Sequence, residues 1–288
     1  MYGSGPRGAA RSRLCASIAL CSALAGGCGE SAVEPVGPTA PGEEQASAGA
    51  DEPRHGDDPT PDGESILVDA SRDGGVWWYP QSGHDGGFDP EQDHQGSALA
   101  GYLRERGYRV DELPRPHRIT RELLDSYEIV IRANAFSGYT AEEVASYEAY
   151  VDGGGALLLL NDHMRYAAPD QVGAAFGIVF EGITRGVQLF DELSEHAITK
   201  DVGALVYGVG SAIVEAPEAA AIVGRLSANG YADLDFDEVL GPGDIVGPAV
   251  LGAVQWGRGR IVFSGDTNMW EAVPLPLVAN VLEWLGGS

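Results

Sequence analysis

The chain has 288 residues, a formal charge of -25 and three cysteines. Those three, Cys15, Cys21 and Cys28, all precede the bulk of the sequence, so everything after Cys28 lacks a disulfide, a cysteine-ligated metal and a thiol nucleophile. The acidic balance argues against nucleic acid, whose phosphates require Lys and Arg, and serves solubility.

Arg7, Arg11 and Arg13 precede the apolar run Leu14 to Ala25, which is too short to span a membrane and has the length of a signal-peptide core. The run closes Leu24-Ala25-Gly26-Gly27-Cys28. This resembles a bacterial lipobox, with Ala25 where Leu is commoner. The resemblance implies removal of residues 1–27, a lipid anchor on Cys28 and an address in the bacterial cell envelope. Gly29, where no Asp follows the cysteine, points to the outer membrane. An ordinary secretory signal cleaved nearby is the alternative. Residues 28–64 turn to Pro, Gly, Ala, Glu and Asp, a composition that cannot bury enough surface to offset its ordering entropy. They read as an acidic tether kept extended by Glu43, Glu44, Asp51, Glu52, Asp57 and Asp58, with His55 incidental.

Residues 65–288 suffice for one domain with a substantial core. It opens with Ile66-Leu67-Val68-Asp69, a buried strand ending in an acid. A long Gly-rich loop follows, Ala70 to Asp93, carrying Asp73, Trp77, Trp78, Tyr79, His84 and Phe88. Its aromatics either plug the core or stack on a sugar ring. Helical spacing runs from His94 to Arg106 and ends at Gly107. Tyr108 to Val110 is the next strand, Arg121 to Ser126 a short helix, and Ile129-Val130-Ile131 a third strand ending at Arg132-Ala133-Asn134. Thr140 and Glu143 form a capping box whose helix reaches Val151. Gly153-Gly154-Gly155 closes that helix and releases Ala156-Leu157-Leu158-Leu159-Leu160, an unbroken apolar strand buried on both faces. It stops abruptly at Asn161-Asp162-His163. Beyond it, Gln171 to Phe176 reads as a helix turn. Ile178 to Phe180, Ser211 to Val214, Ile222 to Leu226, Val250 to Trp256 and Arg260 to Ser264 read as strands, the last two joined by a hairpin at Gly257-Arg258. Gly265-Asp266-Thr267 follows the last strand, and Pro274 to Leu285 is an amphipathic helix. Strands alternating with helices predict an α/β fold with a doubly wound, mostly parallel sheet, helices on both faces and an added β-rich C-terminal portion.

The order of these pieces, Gly107-Tyr108-Arg109-Val110, then Val151-Asp152-Gly153-Gly154-Gly155 with its leucines, His196-Ala197-Ile198-Thr199, Gly257-Arg258-Gly259-Arg260 and Asn280 to Leu285, resembles the class I glutamine amidotransferase-like domains. The likeness spans nearly all of Ile66 to Leu285. It is nearer the offshoot found in gliding-motility auxiliary subunits, the intraflagellar transport subunit and trehalose-utilisation-like proteins. The resemblance implies a flavodoxin-like sheet. Amidotransferases use a cysteine after a central strand, and no cysteine follows Cys28, so that activity does not carry over. The offshoot implies binding rather than catalysis; His196 corresponds to a recurring histidine of the family and reads as a loop organiser, with a catalytic base as the alternative.

In a parallel sheet, ligands gather at the carboxyl ends of the strands. The candidate ligand-binding residues are therefore Asp69, Asp73, Trp77, Trp78, His94, Asn134 and Asn161, with His84 nearby. The candidate catalytic residues are Asp162, His163 and Asp266. These acids and amides serve equally well as caps and loop braces. No metal or cofactor is expected, since there is no His-Glu-x-x-His pair and no Gly-x-Gly-x-x-Gly after the first strand. Asp233, Asp235 and Asp237 alternate as in a calcium loop, yet the glycine of the sixth position is missing, so an exposed loop or strand edge is expected. Two functions follow. One is a membrane-tethered, non-catalytic binder of a small polar ligand, a sugar among the candidates, or of an envelope protein partner. The other is an Asp/His-dependent hydrolase, with or without a metal.

Overall fold

The computed structural model describes residues 64–72, 95–113, 117–163 and 169–287. Contacts divide the chain into Met1–Asp57 and Asp58–Ser288, and every described residue belongs to the second unit. Cys28, Asp73, Trp77, Trp78, His84 and His94 lie outside the described residues. No helix among the described residues is long and apolar enough to cross a membrane.

The first half alternates as expected: β1 (Ser65–Asp69), α1 (Ser97–Glu105), β2 (Arg109–Leu113), α2 (Arg121–Leu124), β3 (Ile129–Arg132), α3 (Ala141–Asp152), β4 (Ala156–Leu160) and α4 (Gln171–Ala175). An all-β stretch follows, comprising β5 (Val179–Glu181), β6 (Ile183–Gly186), β7 (Leu189–Leu193), β8 (Leu205–Val206), β9 (Ala212–Glu215), β10 (Ala221–Leu226), β11 (Gly230–Asp233), β12 (Ile245–Val246) and β13 (Ala249–Trp256). The chain then closes with β14 (Gly259–Ser264), α5 (Asn268–Glu271) and α6 (Leu277–Gly286).

The main sheet runs β2-β1-β3-β4-β14-β13-β10-β7-β8, with β5 and β9 joined to it through β13. Its first five strands are parallel, and from β13 onward the pairing is antiparallel. A separate three-stranded sheet contains β12, β11 and β6. The expected doubly wound α/β architecture is present, and its parallel half has the flavodoxin-like order. The added β-rich portion lies in sequence between β4 and β14.

Strand composition explains this arrangement. Successive side chains of a strand point to opposite faces, so a run such as Leu157 to Leu160 needs a core on each side. Ile66, Val68, Ile131, Leu158, Leu160 and Val262 pack with Leu99, Leu103, Leu277 and Val281 of α1 and α6. Leu67, Val130, Leu157, Leu159 and Phe263 pack with Leu124, Tyr147, Val151 and Val172 of α2, α3 and α4. The glycine cluster makes the α3–β4 turn in two ways. Gly154 sits at φ +114, and a Cβ on Gly155 would come within 2.3 Å of the Tyr150 ring. That ring cannot yield, because its hydroxyl donates to the carbonyls of Tyr127 and Glu128 at 3.1 and 3.0 Å.

Differences from expectation concentrate in the all-β stretch, where β6, β7, β8, β11 and β12 carry no clear sequence signal. β7 reads Leu-Phe-Asp-Glu-Leu, with Asp191 and Glu192 exposed, and lies near the sheet edge beside the two-residue β8. Polar edge strands lack the apolar runs by which strands are recognised.

Candidate functional site at the carboxyl edge of the parallel strands

β1, β3, β4 and β14 end side by side, pairing Asp69 with Arg132, Arg132 with Leu159 and Leu160 with Ser264. Carried past the strand ends, by two residues in β1 and β3 and one in β4, this register sets Ser71, Asn134 and Asn161 in one row. It sets Asp162 next to Asp266 in the following row. Four of the predicted residues thus meet along one rim, with Asp69 just behind it.

Asp69 is fully buried and fully engaged. Its Oδ1 accepts the Ser71 N–H at 2.9 Å, and its Oδ2 accepts the hydroxyls of Tyr139 at 2.9 Å and Tyr147 at 2.5 Å. Burial, reinforced by Asp69, holds both phenols well above their ordinary range, so they remain donors. Asp69 therefore fastens α3 to the end of β1. The capping box adds a second fastening, with the Thr140 hydroxyl accepting from Glu143 N–H at 3.3 Å and Glu143 accepting from Thr140 N–H at 2.9 Å. Glu143 also receives Arg72 at 2.7 Å and the Ile119 N–H at 3.2 Å. Burial opposes ionisation of Glu143, yet these donors outweigh it and hold its carboxyl below the usual range.

At the ends of β1 and β3, several buried polar atoms have no hydrogen-bond partner among the described residues. Asn134 is 1 % exposed, and neither its Oδ1 nor its Nδ2 is bonded; Ser71 Oγ and Arg132 Nε are likewise unmet. Arg132 is fully buried and pairs with Asp170, whose other oxygen caps α4 through Gly173 N–H at 2.9 Å. Sequence reasoning placed Arg132 at a strand end but missed this pair. Its available signal was Pro169-Asp170 immediately before a helical pattern, an N-cap with a charge to neutralise.

On the β4–β14 side, Asp162 Oδ1 accepts the His163 backbone N–H at 2.6 Å and stands 2.7 Å from His163 Nδ1. Its Oδ2 accepts the Thr267 hydroxyl at 2.9 Å. Asp266 is fully buried and accepts the N–H groups of Asn268 and Met269, both at 3.0 Å. Burial, and then the charge of Asp162, nevertheless raise its carboxyl well above the ordinary range. The same two acids, after burial, push the Tyr207 phenol up. The all-β stretch closes this side by backbone contact. Ser211 N–H donates to Gly265 carbonyl at 2.7 Å, and a Cβ on Gly210 would meet that oxygen at 2.2 Å. The glycine is required there.

His196 lies away from the rim. Its Nδ1 accepts the Ile198 N–H at 3.2 Å at the head of a 3-10 turn over Ala197–Thr199, and its ring packs on Trp284 at 5.8 Å. It organises a loop, as expected, and burial lowers its pKa. Chemically, the rim offers an imidazole–carboxyl pair, a hydroxyl, a buried carboxyl whose pKa is raised and, at the ends of β1 and β3, an amide whose two polar atoms are unmet among the described residues.

No protein-family model matches the sequence, and no curated protein matches it. Solved structures do share the fold. The mmIFT52 N-terminal domain superposes with a TM-score of 0.57 at 18% identity, covering 78% of this chain and 98% of its own. A cytoplasmic protein from Salmonella typhimurium gives 0.50 at 13% identity, covering 77% of this chain and 98% of its own. A ThuA-like protein from Bacteroides uniformis gives 0.48 at 15% identity, with 81% and 94% covered. At such identities the likeness is one of fold alone, a doubly wound, mostly parallel sheet of flavodoxin-like order.

Proposed function

We propose that this domain is a non-catalytic binding module for a small, hydroxyl-rich ligand, with a sugar as the best chemical fit, seated at the β1/β3 crevice. One observation carries the reading: Asn134 is buried with both amide atoms unmet among the described residues. Leaving a buried polar group unpaired costs about 1–3 kcal/mol, so its retention has to be offset by a role. In the strand order 2-1-3-4-5, the β1/β3 gap is where the chain path reverses and ligands enter. An amide that can donate and accept beside the free Ser71 hydroxyl matches a vicinal diol. The loss of any cysteine from the domain supports binding over amidotransfer.

The test is the thermal midpoint of the full chain across a panel of mono- and disaccharides. A ligand bound only by the folded state raises it, by about 2.7 kcal/mol of stability at a hundredfold excess over Kd. The rise should vanish in Asn134→Leu. A panel without any shift, or a shift that survives Asn134→Leu, would sink the proposal.

A second reading has its own observation, the Asp162–His163 contact at 2.7 Å with Thr267 on the other carboxyl oxygen. It is an acid–base pair suited to hydrolysis. Hydrolysis of a chromogenic glycoside or ester panel that disappears in His163→Ala would put this reading first.

We further propose that Cys28 carries a lipid that tethers the domain to the bacterial envelope, through residues 28–64, where an envelope protein could be a second partner. The support is the basic start, the apolar run and the small residues before Cys28. Cys28→Ala should move the protein from the membrane fraction to the soluble one, and unchanged membrane retention would count against the anchor.

A further inference from the structure

β11 ends at Asp233, paired with Ile183 of β6, and the chain loops back to β12 through twelve residues, Asp233 to Asp244. Asp233, Asp235 and Asp237 each bring a carboxyl oxygen to within 4.8 Å of the others. Like charges this close repel, and the countercharge is small. Arg185 reaches Asp233 Oδ2 at 2.6 Å and Glu238 at 3.3 Å. Among the described residues, that guanidinium meets Asp233 and Glu238, and no ion pair reaches Asp235 or Asp237.

The decisive group is Asp233. It is fully buried, its Oδ2 already receives Arg185 and the Glu238 N–H at 3.0 Å, and its Oδ1 has no hydrogen-bond partner among the described residues. A buried carboxylate oxygen with nothing to accept from is a costly feature that a bound cation removes. The same cation relieves the repulsion among the three acids.

The backbone also departs from what the sequence led us to expect. Glu238 holds the sixth position counted from Asp233, where a calcium loop has glycine, and it adopts φ +71, with Phe236 at φ +62. The left-handed turn is made without the glycine. Asp237 N–H donates to Asp235 at 3.3 Å, Val239 N–H to Asp237 at 2.8 Å, and Leu234 and Gly241 N–H to Asp244 at 2.9 and 2.8 Å. The turn thus stands on hydrogen bonds of its own.

The geometry points to a calcium site in which Asp233, Asp235 and Asp237 each lend one oxygen to a single ion, with water completing the shell. Oxygen-only donors select a hard cation, and an irregular loop suits the six to eight flexible ligands of calcium better than the strict octahedron of magnesium. Asp244 stands where a calcium loop has its bidentate acid, but its oxygens are taken by backbone N–H groups. Affinity should therefore fall in the weak class, with Kd about 0.1–1 mM.

The full chain, freed of metal with a chelator, is titrated calorimetrically with calcium chloride and, separately, magnesium chloride. The expected result is one calcium per chain in that range and at least tenfold weaker magnesium binding. In Asp235→Asn/Asp237→Asn, calcium affinity should fall by about tenfold or more. Both residues are exposed, and Asn Oδ1 keeps the two turns, so the fold survives, as the unchanged circular dichroism should show. No calcium heat up to about 10 mM would overturn the site. So would calcium binding unaltered in the double variant, which would place the ion on other acids, or equal affinity for the two metals.

Discussion

The Tyr147 hydroxyl donates to Asp69 Oδ2 at 2.5 Å, joining the middle of α3 to the end of β1 across 78 residues of sequence. Tyr139 shares the same oxygen at 2.9 Å. Because Asp69 is fully buried, the oxygen has no water to turn to. Tyr147→Phe should cost about 1–3 kcal/mol, measured by urea unfolding. Tyr139→Phe alone should cost less, and the double variant more than the sum, since only then is the oxygen stripped of every donor.

Arg132 and Asp170 form an ion pair that is 0% and 3% exposed. Breaking such a pair strands a charge, so Arg132→Met should lose about 3–5 kcal/mol. Adding Asp170→Asn removes the stranded charge while an amide oxygen still caps α4 through Gly173. The double variant should recover most of the loss in thermal melts. A double variant as unstable as the single one would show that the guanidinium acts through packing instead.

Asp266 governs how stability depends on pH. Its folded pKa is raised, chiefly by burial and then by Asp162. Below the unfolded value, about 3.9, both states hold the proton and the group has no effect on stability. As pH rises past that point the unfolded chain releases its proton first. The stability present at low pH is then lost until the folded pKa is passed, at up to about 1.4 kcal/mol per pH unit. Asp266→Asn should flatten this decline, which begins above about pH 4, relative to the parent. Asp162→Asn should only soften it, because burial is the larger cause. Parallel pH profiles for parent and Asp266→Asn would refute the assignment.

Much of the frame was legible from patterns with a single physical meaning. Four leucines after a glycine cluster can only be a strand covered on both faces, and Thr140 with Glu143 can satisfy each other only at a helix start. Strand ends then located Asn134, Asn161, Asp162 and Asp266 on one rim without any knowledge of side-chain partners. What could not be read was pairing between distant polar residues. Nothing in Ile-Val-Ile-Arg shows that Arg132 is buried, because its reason is Asp170, and nothing near Asp69 announces two tyrosines 70 and 78 positions later. The unmet state of Asn134 was also invisible, since it depends on what fails to lie beside it. Asp233 shows the same limit: its alternation with Asp235 and Asp237 suggested an exposed row, whereas the pairing of β11 with β6 buries the first of the three.

β14 lies in the middle of the sheet, between β4 and β13, although it is the last strand of the chain. Its parallel partner β4 precedes it by about a hundred residues, Ala156 pairing with Arg260. Neither the rim nor either core can close until β14 has joined β4, a pairing that must close the long stretch of chain between them. The folding rate of this domain should therefore be set by that one long-range closure and not by its local helices.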